Sequence, residues 1–449
     1  MTDSLFLRST DLAALEAALA EGDCCSIIGL SNIGKSTLLR AAAEANARTE
    51  SALYVYVDCN SMLALTDQAF YQVTLRAALD VIKRLGKKAP AELVTRVEAL
   101  YQTVIEAERP IVAALSFNDG VALLCEQLPR RVALLFDEFD DPFGALEGRV
   151  FLNLRALHDK YESLVYVTAT GMPLTDRRHD AEASEFCELF VGHQIVLSLL
   201  TDERARQAVA HWSADDGAAL NRKLDRGEID FVIEQAGGHP GLLRTATRLV
   251  VRVAGGTPIG SRAQALTLAR ERLESDSMIR SECAKLWGQI SPLEQTALLN
   301  FLGDDGELPG GVMQADLIAR GLIVMEPTPR VFGRLFAGYA YRQRRTRQAA
   351  ATGVHVDVDA GEVWVDGERI PTLTDLEYRL LLLLYGRLSK LCDKYQIVEA
   401  VWGQDYIDEV DDARIEKLIS RLRSKLERDP ANPKYLQTVR GRGYKLTSA

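Results

Sequence analysis

Residues 24–45 read Cys24-Cys-Ser-Ile-Ile-Gly29-Leu-Ser-Asn-Ile-Gly34-Lys35-Ser36-Thr37-Leu-Leu-Arg-Ala-Ala-Ala-Glu-Ala45. A short apolar run, Cys24 to Ile28, meets a glycine loop of the form G-x-x-x-x-G-K-[ST], and an Ala/Leu-rich helical stretch, Leu38 to Ala45, follows. That order of strand, loop and helix is what phosphate binding needs. Backbone N–H groups of Gly29, Ser31, Asn32, Ile33, Gly34, Lys35, Ser36 and Thr37 can cradle a polyphosphate, aided by the positive end of the helix. Lys35 is expected to face solvent and reach the β/γ-phosphates. The Ser36 hydroxyl is expected to ligate Mg²⁺.

Outward from the loop, residues 1 to about 200 alternate apolar runs with helical patterns. Candidate strands are Cys24–Ile28, Leu53–Val57, Val132–Phe136, Leu164–Ala169 and Gln194–Leu197, and helical periodicity fills 67–86, 90–107 and 148–162. This pattern predicts an α/β fold, a parallel sheet covered on both faces. A phosphate loop needs an acidic partner on a neighbouring strand. Val132-Ala-Leu-Leu-Phe-Asp137-Glu138 supplies it. Asp137 is placed to hold Mg²⁺ and Glu138 to orient or deprotonate the attacking water. Leu164-Val-Tyr-Val-Thr-Ala-Thr170-Gly ends in a polar corner; Thr170 either senses the γ-phosphate or satisfies its hydroxyl locally.

The bulk numbers set bounds. The 449 residues allow about three domains, and 47% hydrophobic with 26% charged content is ordinary for globular protein. A net charge of −10 carries no whole-chain signal for nucleic acid. Seven scattered cysteines lack C-x-x-C spacing, so neither a zinc site nor a disulfide framework is suggested. The N-terminal residues lack a signal-peptide pattern and no apolar run reaches transmembrane length. A cytoplasmic protein without membrane contact is expected.

The order of glycine loop, Asp-Glu strand, Thr-Ala-Thr-Gly strand and Gly237-Gly-His239-Pro240-Gly-Leu-Leu243 resembles the STAND branch of AAA-like P-loop ATPases. It is also similar to archaeal-type and origin-recognition-type ATPases. The resemblance covers about residues 1–341. It implies ATP/ADP with Mg²⁺, a sheet of order 5-1-4-3-2, and a helical lid in which His239 and Pro240 approach the nucleotide. On the residues alone, a lone His at this position is more often a helix-initiating turn. Arg177, Arg178, Arg204 and Arg244 are candidate arginine fingers. Slow hydrolysis, used as a switch, is what the family implies.

The other end of the chain carries different chemistry. Leu373-Thr374-Asp-Leu-Glu377 opens a helix with a capping box, Val398 to Gly403 closes a second, and Asp411 to Leu426 forms a third. In the third, Ile415, Leu418, Ile419, Leu422 and Leu426 make a core stripe, while Arg414, Lys417, Arg421 and Ser424 share another face. One apolar face and one basic face suit packing behind and major-groove contact in front. Arg423 and Lys425 lie on the same helix. Tyr435 to Leu446 forms a hairpin whose tip holds Arg440 and Arg442. From Arg414 onward ten Lys/Arg stand against three Asp/Glu, a local basic footprint on an acidic chain. Leu373-Thr-x-x-Glu377, Val401-Trp-Gly403, Ile419-Ser-Arg-Leu-Arg-Ser-Lys-Leu426 and Thr438-Val-Arg-Gly-x-Gly-Tyr444 resemble the OmpR/PhoB-type winged-helix output domain. The resemblance implies double-stranded DNA as partner, with the Arg414–Leu426 helix in the major groove and Arg440 at the wing. Lys417-Leu418 stands where that family commonly has Val-His, so no operator sequence carries over.

The expected organisation is an ATPase domain at 1–200, a helical lid at 201–277, a winged-helix-like middle domain at 278–341, a basic linker at 342–353 and a winged helix at 354–449. The expected function is an ATP-dependent transcription regulator, oligomerising with itself on activation and responding to a protein or small-molecule inducer. The alternatives are a defence or mobile-element ATPase that senses foreign DNA or protein, and a nucleotide-locked DNA scaffold without turnover.

Overall fold

Five parallel strands build the main sheet of the computed structural model, which describes residues 8–49, 52–216, 223–255, 262–303, 306, 308–349, 353–357, 361–403, 406 and 410–447. They are β1 (Cys25–Ile28), β2 (Ala52–Asp58), β3 (Arg131–Asp137), β4 (Leu164–Thr170) and β5 (Gln194–Val196). Their order is β2-β3-β4-β1-β5, the one the ATPase resemblance implies. β1 and β4 are buried along their whole length, which is why both read as unbroken apolar runs. The register sets Ile28 beside Thr170, Phe136 beside Thr168 and Asp58 beside Asp137. The carboxyl ends of β1, β4, β3 and β2 therefore open on one edge. In open parallel sheets that edge is where ligands bind.

The corner after β3 is fixed from below. Phe139 is fully buried and meets Phe70, Phe136, Phe143, Phe151 and Phe186 at centroid distances of 5.2 to 6.3 Å. Burying one such ring contributes about 2–3 kcal/mol. The cluster holds the preceding Glu138 at φ +52°, a backbone state costly for a residue with a side chain. Around the sheet lie helices Lys35–Thr49, Asp67–Leu85, Ala91–Glu106, Pro110–Gln127 and Gly148–Lys160. Thr66 caps the second, its hydroxyl accepting from Ala69 N–H at 3.3 Å.

Beyond β5 the chain is helical through Asp202–Asp216, Arg226–Ala236, Pro240–Gly255 and Arg262–Ser275. Three further helices, Ser277–Gly288, Pro292–Phe301 and Gly311–Ala319, precede a short ribbon of Ile323–Val324 and Arg330–Val331. The stretch 342–353, expected as a linker, is helical as far as Ala349, within Arg334–Ala349. It carries no Gly or Pro before Gly353, so nothing in its sequence stops the helix. Residues 350–352 of that stretch, and Val358 of an expected strand, lie outside the described residues.

The chain divides into two compact units, Met1–Tyr339 and Ala340–Ala449. The second holds a small sheet of Val354–Asp357, Glu362–Val365 and Glu368–Arg369, then helices Asp375–Gly386, Lys394–Val401 and Asp412–Leu426, then the ribbon Leu436–Val439 and Gly443–Leu446. Three helices and a ribbon close both units. All seven cysteines are free thiols, and burial pushes Cys24 and Cys25 up to about 12. No helix among the described residues is long and apolar enough to cross a membrane.

Gly443 sits at φ +132°, where an added Cβ would lie 2.1 Å from the Cys392 carbonyl oxygen. The same ribbon exchanges backbone hydrogen bonds of 2.8 and 3.0 Å between Cys392 and Tyr444. Gly443→Ala should destabilise the C-terminal unit by about 2 kcal/mol or more. Hydrogen exchange at the ribbon amides measures it; unchanged protection would contradict the packing described.

Candidate functional site

The glycine loop begins where β1 ends and carries two positive-φ positions, Asn32 at φ +52°, costly for a residue with a side chain, and Gly34 at φ +115°, open to glycine. The Lys35–Thr49 helix begins directly after them, its first turn at the loop; of the loop's own N–H groups, Gly29 donates to the Thr170 carbonyl and Ile33 to the Leu30 carbonyl. Ser36 and Thr37 stand at this turn, Ser36 half-buried and Thr37 exposed, and Ile33 is buried beneath. Lys35 departs from expectation. It is 5% exposed and does not face solvent; its Nζ donates to the carbonyls of Gly29 at 2.8 Å and Leu30 at 3.2 Å. The reason is a shortage of partners: burial lowers the ammonium's pKa, and the loop's own carbonyls satisfy it.

Asp137 is buried at the end of β3. Its Oδ2 accepts from the Tyr56 hydroxyl at 2.5 Å, and its Oδ1 accepts from Glu138 N–H at 3.1 Å. Glu138 itself is exposed at the rim. Loop, Ser36, Asp137 and Glu138 thus share one edge of the sheet, as donors, hydroxyl and carboxylates suited to a nucleotide phosphate and a hard cation. Thr170 is fully buried and its hydroxyl donates to the Met172 carbonyl at 2.8 Å, a local satisfaction.

His239, too, is engaged within the chain. It is fully buried, and Leu242 N–H donates to its Nδ1 at 3.2 Å. The proton therefore sits on Nε2, which donates to the Ser31 carbonyl at 2.8 Å. The ring ties the start of the lid helix to the loop backbone. Pro240 starts the helix whose second residue, Gly241, would place a Cβ 2.8 Å from the Asn32 Cβ. The candidate fingers are engaged within the chain. Arg177 pairs with Asp140 at 3.1 Å, Arg178 with Asp180, Arg204 donates to Thr10 at 3.1 Å, and Arg244 lies over the Trp212 ring at 5.4 Å.

Three partners of the loop escaped the sequence reading. Arg8 is 7% exposed and its Nη2 donates to the carbonyls of Ile33 and Ser198, each at 2.8 Å. Gln289 Oε1 accepts from Ser31 N–H at 2.6 Å, and Glu282 Oε2 accepts from the Asn32 amide at 2.7 Å. The last two lie 250 or more positions away in sequence, where no local pattern reports a contact.

In the C-terminal unit Ile415, Leu418, Ile419, Leu422 and Leu426 are all buried, as the stripe predicts. Arg414, Lys417, Arg421 and Ser424 are exposed on the helix, and Arg440 and Arg442 at the ribbon tip. Arg423 and Lys425 do other work. Arg423 donates to the Leu436 carbonyl at 2.8 Å and to Thr438 Oγ1 at 2.6 Å, tying helix to ribbon. Lys425 pairs with buried Glu377 at 2.7 Å. Both sit at the seam between faces, where the helical wheel alone leaves the side chain's direction open. Glu427, also unforeseen, accepts from the N–H groups of Lys434, Tyr435 and Leu436.

Two predictions follow from this placement. Burial lowers the His239 pKa to about 4. The unfolded chain, with an ordinary histidine, binds a proton first as pH falls, so stability present above pH 6.5 is lost between there and about 4. The His239 contribution is on the order of 3 kcal/mol. His239→Gln, which keeps a donor for Ser31, should flatten that part of the stability–pH curve in denaturant titrations. Separately, Arg421→Ala should weaken duplex binding by about 1–3 kcal/mol and leave stability unchanged. Lys425→Ala should instead lower stability, since it strands a buried carboxylate. Equal thermal shifts for the two variants would contradict the division.

Residues 367–446 match the family described as transcriptional regulatory protein, C terminal. The chain is 44% identical over 93 residues to the sensory transduction protein RegX3 of Mycolicibacterium smegmatis, covering 21% of this chain and 40% of that protein. It is 33% identical over 145 residues to the transcriptional regulatory protein YrkP of Bacillus subtilis, covering 32% and 61%. The chain thus spans less than two thirds of the length of either relative. Among solved structures, the Walker-type ATPase PABY2304 of Pyrococcus abyssi is 16% identical with a TM-score of 0.48, covering 74% of this chain and 95% of that one. The ORC1 protein of Aeropyrum pernix, solved in complex with DNA, is 15% identical with a TM-score of 0.39, covering 80% and 89%. The C-terminal unit is therefore an OmpR/PhoB-type winged-helix domain, joined in one chain to a unit built on a five-stranded parallel sheet with a P-loop-type glycine loop.

Proposed function

We propose that this chain is a transcription regulator in which ATP or ADP at the glycine loop sets the DNA affinity of the winged helix. The observation that carries the reading is the pair of hydrogen bonds from Ser31 N–H to Gln289 and from the Asn32 amide to Glu282. The loop's donors are shared between a phosphate and the helical segment that follows the lid. A phosphate drawing on Ser31 N–H competes with Gln289, so nucleotide state biases that segment. The bias has a covalent path onward, because helix Arg334–Ala349 runs from the first unit into the second.

In this reading Lys35 turns from the loop carbonyls to the β/γ-phosphates, Ser36 and Asp137 hold Mg²⁺ between them, and Glu138 orients the attacking water. Mg²⁺ would neutralise developing charge on the phosphates. Tyr56 positions Asp137 through its 2.5 Å hydrogen bond. Double-stranded DNA is the partner of Arg414, Lys417, Arg421, Arg440 and Arg442. Nucleotide-driven self-association would multiply weak half-site binding into avidity.

Calorimetry tests the nucleotide half. Lys35→Ala should abolish ATP binding, with circular dichroism confirming the fold, and Glu138→Gln should bind ATP yet release no phosphate. Gln289→Ala should tighten ATP binding up to about tenfold, the worth of one hydrogen bond no longer displaced. ATP bound as tightly by Lys35→Ala as by the wild type would overturn the reading.

A further inference from the structure

A second concave site lies at the open edge of β2, at the end of the sheet opposite the glycine loop. It is a cavity of about 590 Å³ between helices Lys35–Thr49 and Asp67–Leu85. That volume falls in the range of small-molecule sites. Arg40, Arg84, Lys88 and Arg130 line it, with Tyr54 and Tyr56 on its floor. Among the described residues Glu44 is the one acidic side chain in its lining. On a chain of net charge −10, four cations around one pocket are not average composition. Nothing in the nucleotide chemistry uses them.

The floor of this pocket is wired to the nucleotide site. Arg40 lies over the Tyr56 ring at 5.1 Å and reaches Asp58 at 3.9 Å. The Tyr56 hydroxyl donates to Asp137 Oδ2 at 2.5 Å. Arg40 itself belongs to the helix that Lys35 and Ser36 begin.

We propose that the β2-edge pocket binds a small, multiply charged organic anion, and that its occupancy reaches Asp137 through Arg40 and Tyr56. An anion drawing Arg40 toward the pocket centre removes it from the Tyr56 face and from Asp58. Tyr56 then shifts, and Asp137 Oδ2 gains a free lone pair for the Mg²⁺ shell. The pocket is thereby a site for an inducer of defined chemistry: anionic groups for the cations, with a flat or compact body against the tyrosines. A small molecule is favoured over nucleic acid because the cations surround a cavity and do not crown a convex surface. The binding half stands alone; the relay to Asp137 rests on the nucleotide-switch reading.

Pyrenetetrasulfonate, a flat tetra-anion with its own fluorescence, is the probe. Anisotropy titrations use the full chain saturated with ADP and Mg²⁺, which keeps the glycine loop filled. Arg84→Glu with Arg130→Glu should weaken the probe at least tenfold, and Arg84→Gln, a milder change at an exposed position, should weaken it about threefold. Arg421→Ala with Arg440→Ala should leave the tightest binding phase unchanged. Equal affinity in the Arg84/Arg130 variant, or loss only in the Arg421/Arg440 variant, overturns the site. Displacement of the probe by duplex DNA from the Arg421/Arg440 variant overturns the small-molecule assignment. For the relay, probe should shift the Mg²⁺ midpoint of nucleotide binding in the wild type, and Tyr56→Phe should bind probe without that shift. A bound probe that leaves the wild-type Mg²⁺ midpoint in place overturns the relay. Failure to bind nucleotide at all overturns the switch reading, while titrations with the probe alone still decide the pocket.

Discussion

One hydrogen bond organises the first unit: His239 Nε2 to the Ser31 carbonyl, 2.8 Å long and shut away from water. A buried polar group without a partner costs several kcal/mol, so each of the two groups requires the other. The bond fixes the neutral tautomer of the ring and clamps the lid helix against the phosphate loop. Its neighbours have no room to give. A Cβ on Gly238 would meet the Leu200 carbonyl oxygen at 2.2 Å, and one on Gly241 the Asn32 side chain at 2.8 Å. The glycines around His239 are thus a consequence of close approach between lid and loop. With Gln289, Glu282 and Arg8 also on the loop, its conformation is set by segments from across the whole unit. The loop is thereby in direct contact with the lid and with the helices that follow it.

The winged helix is built on the same logic with the opposite purpose. Glu377, Arg423, Lys425 and Glu427 spend their charges inside the domain, joining helix to helix and helix to ribbon. That bracing leaves Arg414, Lys417, Arg421, Arg440 and Arg442 exposed on a rigid scaffold.

Most of the fold was legible in the chain because its signals are local. Strand ends fell within two residues of those read from apolar runs, and the recognition helix kept its predicted stripe. The glycine loop, Asp137 and Glu138 are a motif of fixed spacing. What escaped was set by contacts distant in sequence. Lys35 was read as solvent-facing because the motif gives its partner as phosphate and says nothing of the Gly29 and Leu30 carbonyls. His239 was read toward the nucleotide, while its burial depends on packing between residues 208 positions apart. Tyr56 looks like an ordinary strand residue until β2 pairs with β3 and brings it beside Asp137. Arg423 and Lys425 share their helix with true surface cations, and only the ribbon and Glu377 separate them.

The central claim is that the two units share one equilibrium. The most direct measurement is duplex affinity of the full chain with ADP and Mg²⁺, set against Glu138→Gln with ATP and Mg²⁺. A difference of about 1.4 kcal/mol between nucleotide states gives a tenfold effect. The account predicts at least tenfold tighter binding in the ATP-held form, and an equal tightening of ATP by duplex DNA. Equal duplex affinity in both nucleotide states would contradict it.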